Sequence, residues 1–416
     1  MSGSWFWLVR FSRRLLVRAS FYAAFAVLAA LAAVWFAPLV PRELAERLGG
    51  EAVEGVLTAL ASSMLAVATF SLSAMVVAYT AAAAQMTPRA ASFVTDDSAT
   101  QGALATFVGA FLFTIVALVA LGANYYGEEG RTILFLATLI MIGLVAVRLV
   151  VWIDRVSRLA QHGHILLQIE EAARAAMKAR HGRRFLGGKR LETPTAGGDA
   201  VVSTETGYVA NIDPTKLQEI AVRADAIIEV LASPGDFVVR GAPVLNVVGA
   251  KLSDEDRAAA CGAFSFRHAR TIEQDPLYAM QILSEVGARA LSPGVNDPGT
   301  AILVVDSAFR VLEEWIIETE EGDPAECSTC DRIRAYDLDG CALIAQSIGE
   351  VGRYGAADVA VAVKVQEALR ALSAKRSGGL AVCASQQGAI ALARAEHALP
   401  LEFDRERVRA AAAKGA

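Results

Sequence analysis

Small and hydroxylated side chains recur along one edge of a long apolar segment in the N-terminal part of the chain. An α-helix turns by about 100° per residue, so Thr69, Ser73 and Thr80 fall within about 20° of the line through Ser62. The full set, which we name the hydroxyl edge, is Thr58, Ser62, Ala66, Thr69, Ser73, Thr80 and Ala84. Hydroxyl groups at this spacing can hydrogen-bond to water or to a neighbouring helix through the depth of a membrane.

The hydroxyl edge has two interpretations that the sequence leaves open. It can be a packing seam, because small residues let helix backbones approach closely and hydroxyls bond across the contact. It can instead be the wall of an oligomeric pore, where hydroxyls and helix backbone meet water. The two are compatible if the seam lies between subunits. No Asp, Glu, Lys or His lies in the middle of any predicted span, and ion-coupled pumps normally need one, so passive conduction or no conduction is favoured over active transport.

Charged residues follow this segment in the stretch QMTPRAASFVTDDSATQ. Pro88 is expected to end or kink the helix, since proline cannot donate the next backbone hydrogen bond. Arg89, Asp96 and Asp97 then lie at the cytoplasmic mouth of the predicted path, where they could form a ring of charge in an oligomer. The alternative is a solvated loop in which Asp97 or Ser98 caps the next helix.

The cysteines do not form a complete metal-binding pattern. Cys327 and Cys330 are a CxxC pair and Cys341 adds a third thiol, but a structural zinc ion usually takes four ligands. We therefore predict no metal site and leave the role of these three thiols open. With Cys261 and Cys383 the total is odd and the spacing irregular, which indicates a reducing compartment rather than a disulfide framework.

Motifs of the common enzyme classes are absent from the sequence. It contains no GxSxG, no HExxH, no P-loop and no dinucleotide-binding glycine pattern. We therefore predict that the protein is not an enzyme and uses no cofactor.

The elements that position these residues are predicted membrane helices. The chain is 54% hydrophobic and only 20% charged, and the apolar excess lies in the first 155 residues. Four apolar runs approach or exceed the roughly 20 residues that cross a bilayer. They are Leu15–Ala37, Val56–Ala84, Ala103–Ala123 and Thr132–Ile153. Basic residues cluster before the first span and after the last, so the positive-inside rule places both termini in the cytoplasm.

The chain divides into four predicted regions. A four-helix transmembrane domain covers residues 1–155, and an amphipathic helix with a basic linker covers 156–190. Residues 191–252 are rich in β-branched residues and turn signals, which predicts a small β-sandwich. Its stretch PGDFVVRGAPVLNV resembles the hairpin of lipoyl- and biotinyl-type domains, without the lysine that carries their cofactor. Residues 253–416 are predicted to be helical, so the fold class is an α-helical integral membrane protein with an α+β cytoplasmic region.

Two Asp-Pro pairs mark helix starts in the last region. Asp275 and Asp297 are placed to cap helices that begin at Pro276 and Pro298. The stretch SPGVNDPG between them predicts a tight turn that folds two helices into a hairpin. Later helices are predicted at about Asp331–Val351, Ala356–Lys375, Gly388–Ala398 and Asp404–Lys414.

Three stretches together resemble a known family. They are the second span closing on QMTPRAASF, the strand region GYV…PGDFVVRGAPV, and TIEQDPLYAMQILSEVGARALSPGVNDPGTA. They are similar to a bacterial family of predicted membrane proteins, the domain of unknown function twenty-two fifty-four. The resemblance implies a multi-pass protein of the bacterial inner (plasma) membrane and supplies no functional residues.

The expected function follows from the hydroxyl edge. We expect a homo-oligomer whose second span lines the central contact and which acts as a passive channel or channel-like permeation protein, with a cytoplasmic collar or sensor. The alternative is a non-conducting scaffold or sensor anchored in the membrane. Expected partners are the lipid bilayer, further copies of the chain, and small ions or solutes. A net charge of −5 without a clustered basic face argues against nucleic acid.

Overall fold

The structure, a computed structural model, describes residues 24, 28, 52–85, 87–90, 98–123, 125, 127–159, 162–321, 329–375 and 378–413. The described residues form two compact units. The membrane unit holds those within Trp7–Ala84 and Ala91–His164, and the α/β unit holds those within Gln85–Ala90 and Ile165–Ala416. The predicted first span, Leu15–Ala37, lies outside the described residues except for Ala24 and Leu28, which are helical.

Three long helices make up most of the described part of the membrane unit. They are α1 (Ala52–Gln85), α2 (Ser98–Gly122) and α3 (Glu128–Leu159). Their segments Val53–Ala81, Gln101–Gly122 and Glu129–Asp154 are long and apolar enough to cross a membrane. These segments agree with three of the four spans predicted from the sequence.

Large apolar side chains hold the three helices together. Leu57 of α1, Phe113 of α2 and Leu134 of α3 are almost fully buried in one cluster. In a second cluster, the Trp152 ring of α3 stands edge-on to Phe107 of α2, with 6.4 Å between the ring centroids. Edge-to-face contact is a favourable arrangement for two aromatic rings, because the positive ring edge meets the negative face.

Eight short strands form two sheets in the α/β unit. They are β1 (Lys189–Arg190), β2 (Asp199–Val202), β3 (Gly207–Ile212), β4 (Ile227–Val230), β5 (Phe237–Val238), β6 (Pro243–Val248), β7 (Phe264–Arg267) and β8 (Ile333–Ala335). One sheet has the order β1-β8-β4-β6-β2 and the other β5-β3-β7. Strand β8 pairs in parallel with β1 and β4, and the remaining pairs are antiparallel. Buried residues of both sheets share one apolar core.

The predicted lipoyl-type hairpin is not confirmed. Its two arms, β5 and β6, lie in different sheets, since β5 pairs with β3 whereas β6 pairs with β2 and β4. Between them the chain turns at Gly241, whose φ of 87° is a left-handed conformation that favours glycine. The strands are also not confined to residues 191–252, because β7 and β8 come from the region that was predicted to be helical. Alternating apolar residues predicted the strands, but alternation does not specify which strand is the neighbour.

Ten α-helices are described after α3 along the chain. They are α4 (His162–His181), α5 (Pro214–Arg223), α6 (Asp254–Cys261), α7 (Pro276–Ala290), α8 (Pro298–Glu321), α9 (Gly340–Ile344), α10 (Glu350–Tyr354), α11 (Val359–Ser373), α12 (Gly378–Ala398) and α13 (Glu402–Ala413). The predicted caps are confirmed. Backbone N–H groups of Tyr278 and Thr300 each donate to the carboxylate of Asp275 and Asp297, over 3.1 Å in both cases.

The predicted helix Asp331–Val351 is wrong over its first part. Residues Ile333–Ala335 form β8, and the helix starts only at Gly340, after the cap Asp339. A short π-helical turn, Ala345–Gly349, then leads into α10. A strand of three residues has no periodicity of its own, and it forms because β4 and β1 provide partners for it.

The cysteines also differ from the expectation. Cys341 and Cys383 form a disulfide across 42 residues of sequence, with 5.2 Å between their Cα atoms, where the sequence indicated reduced thiols. Cys330 is buried and free, and Cys327 lies outside the described residues. Within the described ranges no cluster of three His, Cys, Asp or Glu side chains is placed to hold a metal ion.

Candidate functional site

The hydroxyl edge lies on the exposed side of α1 in the single chain. The side chains of Thr58, Ser62, Ala66, Thr69, Ser73 and Thr80 are all exposed. Ala84 lies in the same helix, but its side chain is outside the described part of the structure. The sequence therefore placed these residues correctly on one helix, and the structure adds that the other described helices of the membrane unit leave this edge open.

The opposite face of α1 is the one that packs within the chain. Leu57, Leu60, Met64 and Ala68 recur at intervals of three or four residues and are all buried. The same face carries Ser71, whose hydroxyl is buried without a hydrogen-bond partner among the described residues. Among the described residues, intrachain packing thus uses a face of α1 distinct from the hydroxyl edge.

Hydroxyl donors of the edge are satisfied by their own helix. Ser62 Oγ donates to the carbonyl of Thr58 over 2.8 Å, and Thr69 Oγ1 donates to the carbonyl of Leu65 over 3.0 Å. Ser73 repeats this bond to Thr69 over 3.0 Å. Thr80 donates to the carbonyl of Val77 over 2.9 Å. Each hydroxyl keeps lone pairs that can accept a further bond, from water or from a neighbouring helix.

Bulky apolar residues flank the edge and are exposed as well. Phe70 and Val77 are each 66% exposed, and Leu72 is 49% exposed. The open side of α1 therefore alternates small hydroxylated positions with protruding apolar ones. Such a surface can pack closely against a second helix, because small residues let the backbones approach.

Arg89 of the predicted cytoplasmic mouth is ion-paired. It belongs to the α/β unit, where its guanidinium pairs with the carboxylate of Glu285 on α7. The Arg89 side chain stays 55% exposed. Asp96 and Asp97 lie outside the described residues, so the charge ring stays a prediction.

Two motifs of the family resemblance meet around Asp275. The stretch PGD places Gly235 at a φ of 96°, directly against the Asp275 carboxylate of the stretch EQDP. Arg270 clamps that carboxylate with two hydrogen bonds, 2.8 Å from Nε and 2.9 Å from Nη2. Burial raises the pKa of Asp275, and the charge of Arg270 opposes that rise. This contact explains both motifs structurally, since a side chain on Gly235 would collide with the cap of α7.

Several buried polar residues were missed by sequence reasoning. Glu229 of β4 is completely buried and accepts hydrogen bonds from Thr195 Oγ1 (2.6 Å) and Asn246 Nδ2 (2.7 Å). Glu170 of α4 is held by Arg310 of α8. Asn211 of β3 is 2% exposed. For Glu229, Asn246 and Asn211 the available signal was a polar residue inside an apolar strand, as in IIEV, VLNVV and YVANI.

Comparison with known proteins identifies a family and relatives without assigned activity. Residues 12–371 match the family described as "Predicted membrane protein (DUF2254)". Uncharacterised proteins of Mycobacterium bovis and of Mycobacterium tuberculosis strain H37Rv are each 26% identical over 245 residues. That match covers 54% of this chain and 45% of each relative, so the chain spans less than half the length of these curated relatives. No solved structure matches.

Proposed function

Because the chain belongs to the DUF2254 family of predicted membrane proteins, we propose that it is a homo-oligomeric, passive, channel-like permeation protein of the bacterial inner membrane. Its α/β unit is then a collar or sensor, and both termini are cytoplasmic. The observation that carries the proposal is the exposure of the hydroxyl edge. A helix that packs inside its own chain through one apolar face and leaves its hydroxylated edge open is suited to line a contact between subunits.

The charge distribution supports passive rather than coupled movement. Among the described spans, the acidic residues Glu54, Glu129 and Asp154 and the basic residue Arg131 lie at or near the ends of the apolar segments. Arg148 is close enough to the end of its span to extend its long side chain to the interface. A proton relay or an ion-coupled pump normally places an ionisable group at the membrane midplane.

A second candidate function is a non-conducting scaffold or sensor anchored in the membrane. The observation that favours it is the hydrogen bonding of the edge. Because Ser62, Thr69 and Ser73 already donate to carbonyls of α1, these hydroxyls need no water in order to be satisfied. The edge is then a dry seam between subunits.

The test uses single-cysteine variants at matched depths in α1, on a background from which the native cysteines have been removed. Ser73→Cys reports on the edge, and its neighbour Leu72→Cys, also exposed but about 80° around the helix from the line of the edge, is the control. Ser73→Cys that reacts with a water-soluble thiol reagent, while Leu72→Cys does not, supports the channel. Ser73→Cys that resists the reagent but crosslinks between subunits supports the dry seam. If both positions behave alike, with no labelling and no crosslink, the edge faces lipid and both functions are wrong.

Conduction itself is measured with the purified protein in liposomes. We expect ion or solute flux that depends on the protein and that changes when Thr69 is replaced by a bulky apolar residue, Thr69→Leu. The matched control is Leu72→Phe, which adds volume off the edge. Native mass spectrometry on the same preparation gives the subunit number, and a monomer would contradict the proposal.

A further inference from the structure

A cavity of about 380 Å³ lies in the α/β unit, separate from the hydroxyl edge. Its walls come from the end of α4, from β3, from the start of α5 and from the segment before α7. The size falls in the range of small-molecule sites, which usually combine apolar walls with a few polar groups. Here Leu186 and Pro214 supply apolar surface, and three of the six polar side chains of the lining are cationic.

One polar pair in the wall of this cavity, Asn211 and Gln274, has a definite orientation. Gln274 Oε1 accepts from the backbone N–H of Ile212 over 2.9 Å, so its Nε2 must face Asn211 Oδ1, at 2.7 Å. That contact leaves Asn211 Nδ2 on the other side of the amide. Asn211 is 2% exposed, and Nδ2 has no acceptor among the described residues. Because Nδ2 itself has almost no accessible surface, this amide shapes the wall of the cavity and does not contact a ligand directly.

Three cations line the same cavity against one carboxylate. Lys178, Arg180 and Arg183 come from the end of α4 and the turn that follows it, and Glu273 is the carboxylate. The negative charges of two further carboxylates also attract Arg180, but each of them is already ion-paired with another arginine. Asp337 is held by Arg184 over 2.7 Å and Asp275 by Arg270 over 2.7 Å. One Arg180 nitrogen donates to the carbonyl of Tyr336 over 2.9 Å. The lining therefore retains excess positive charge.

We propose that this cavity binds a small organic phosphate, with the phosphate oxygens facing Lys178, Arg180 and Arg183. A phosphate monoester carries about −1.5 to −2 charges at neutral pH, which matches the excess of three cations over one carboxylate. The organic part lies against Leu186 and Pro214. The inference does not depend on conduction, so its failure and the failure of the proposed function are independent.

The same phosphate monoester chemistry can come from a soluble metabolite or from a lipid headgroup, and the probes separate the two. Phenyl phosphate represents the soluble source and dioctanoyl phosphatidic acid the lipid source. Inorganic phosphate tests whether the organic part contributes. Binding is measured by calorimetry on the full chain in detergent. We expect binding of phenyl phosphate or dioctanoyl phosphatidic acid that is tighter than binding of inorganic phosphate, and the probe that binds identifies the source.

Variants connect the binding to the cavity. Arg183→Ala removes an exposed cation of the lining and should weaken binding by about tenfold or more, which is the size expected for one charged hydrogen bond. Arg240→Ala removes an exposed cation outside the lining and should leave the affinity unchanged. Asn211→Asp adds a negative charge to the wall beside the three cations and should weaken binding, and thermal unfolding of the same sample checks that it is folded.

The proposal is overturned by any of three results. The first is no binding of either organic probe up to millimolar concentration. The second is equal affinity for wild type and Arg183→Ala, and the third is inorganic phosphate binding as tightly as the organic probes. If Asn211→Asp does not fold, the comparison of Arg183→Ala with Arg240→Ala still decides the outcome.

Discussion

Arg310 of α8 holds the Glu170 carboxylate of α4 through two hydrogen bonds, 2.9 Å from Nε and 2.6 Å from Nη2. Arg174, one helical turn along α4, donates to the same carboxylate over 2.9 Å. The Glu170 side chain is only 6% exposed, whereas that of Arg310 is 45% exposed. Two arginines that reach solvent thus donate hydrogen bonds to one buried carboxylate. The contact joins α4, the helix that follows the last membrane span, to α8.

Glu170→Gln should lower the free energy of unfolding by about 1–3 kcal/mol, because a neutral amide loses charged hydrogen bonds and directs a donor at an arginine. Chemical denaturation in detergent measures this change. The control is Glu314→Gln, which removes a 45% exposed partner of Arg174 and should cost less than about 1 kcal/mol. Equal effects of the two variants would show that burial of Glu170 does not matter.

The buried, hydrogen-bonded carboxylate of Glu229 should make the protein less stable in acid. Burial alone would raise its pKa, but the hydrogen bonds from Thr195 and Asn246 lower it below the ordinary value of a carboxyl group. A depressed pKa contributes stability that is fully present above the unfolded-state pKa of about 4.3 and is lost as the pH falls through the folded-state value. Urea unfolding from pH 7 downwards, compared with Glu229→Gln, should therefore show a stability difference that shrinks in acid. A pH-independent difference would contradict the assignment.

Gly235→Ala should destabilise the α/β unit through two separate effects. The φ of 96° strains any residue with a Cβ atom, and the added methyl group would meet the Asp275 carboxylate. Gly197→Ala is the matched control, because its φ is 80° with nothing within 4 Å of the added atom. We expect the control to cost about 1–2 kcal/mol from strain alone and Gly235→Ala to cost more. The difference, measured by thermal unfolding, isolates the contact between the two motifs.

The Arg89–Glu285 pair predicts a small, measurable coupling energy. Its partners are 55% and 24% exposed, so solvent screens the interaction. A double-mutant cycle with Arg89→Ala and Glu285→Ala should give about 0.2–1 kcal/mol, decreasing with added salt. A coupling energy of zero at low salt would contradict this prediction.

The disulfide predicts a count of thiols. Protein that is unfolded without reductant and then reduced should show two more reactive thiols than it did before reduction, because Cys341 and Cys383 are joined. Cys341→Ser should remove this increment, and Cys261→Ser should leave it intact, since Cys261 is free. If reduction adds no thiols, Cys341 and Cys383 are not joined in the purified protein, as expected of a reducing compartment.

The parts of this fold that the sequence predicted depend on neighbours a few residues apart. Three spans follow from the length of apolar runs, and the caps Asp275 and Asp297 follow from the residue types at helix starts. The hydroxyl edge follows from the helical repeat alone, because positions three, four and seven residues apart share a face whatever surrounds the helix.

What the tertiary structure decided depends on partners that are distant in the chain. Strand β8 exists because β4 and β1 accept it, β5 and β6 separate into different sheets, and Cys341 meets Cys383 through the packing of α9 and α12. The exposure of the hydroxyl edge and the unmet amide of Asn211 also depend on what is packed nearby. Local sequence specifies which side chains share a face, but the burial of that face and its partners result from long-range packing, which no local pattern encodes.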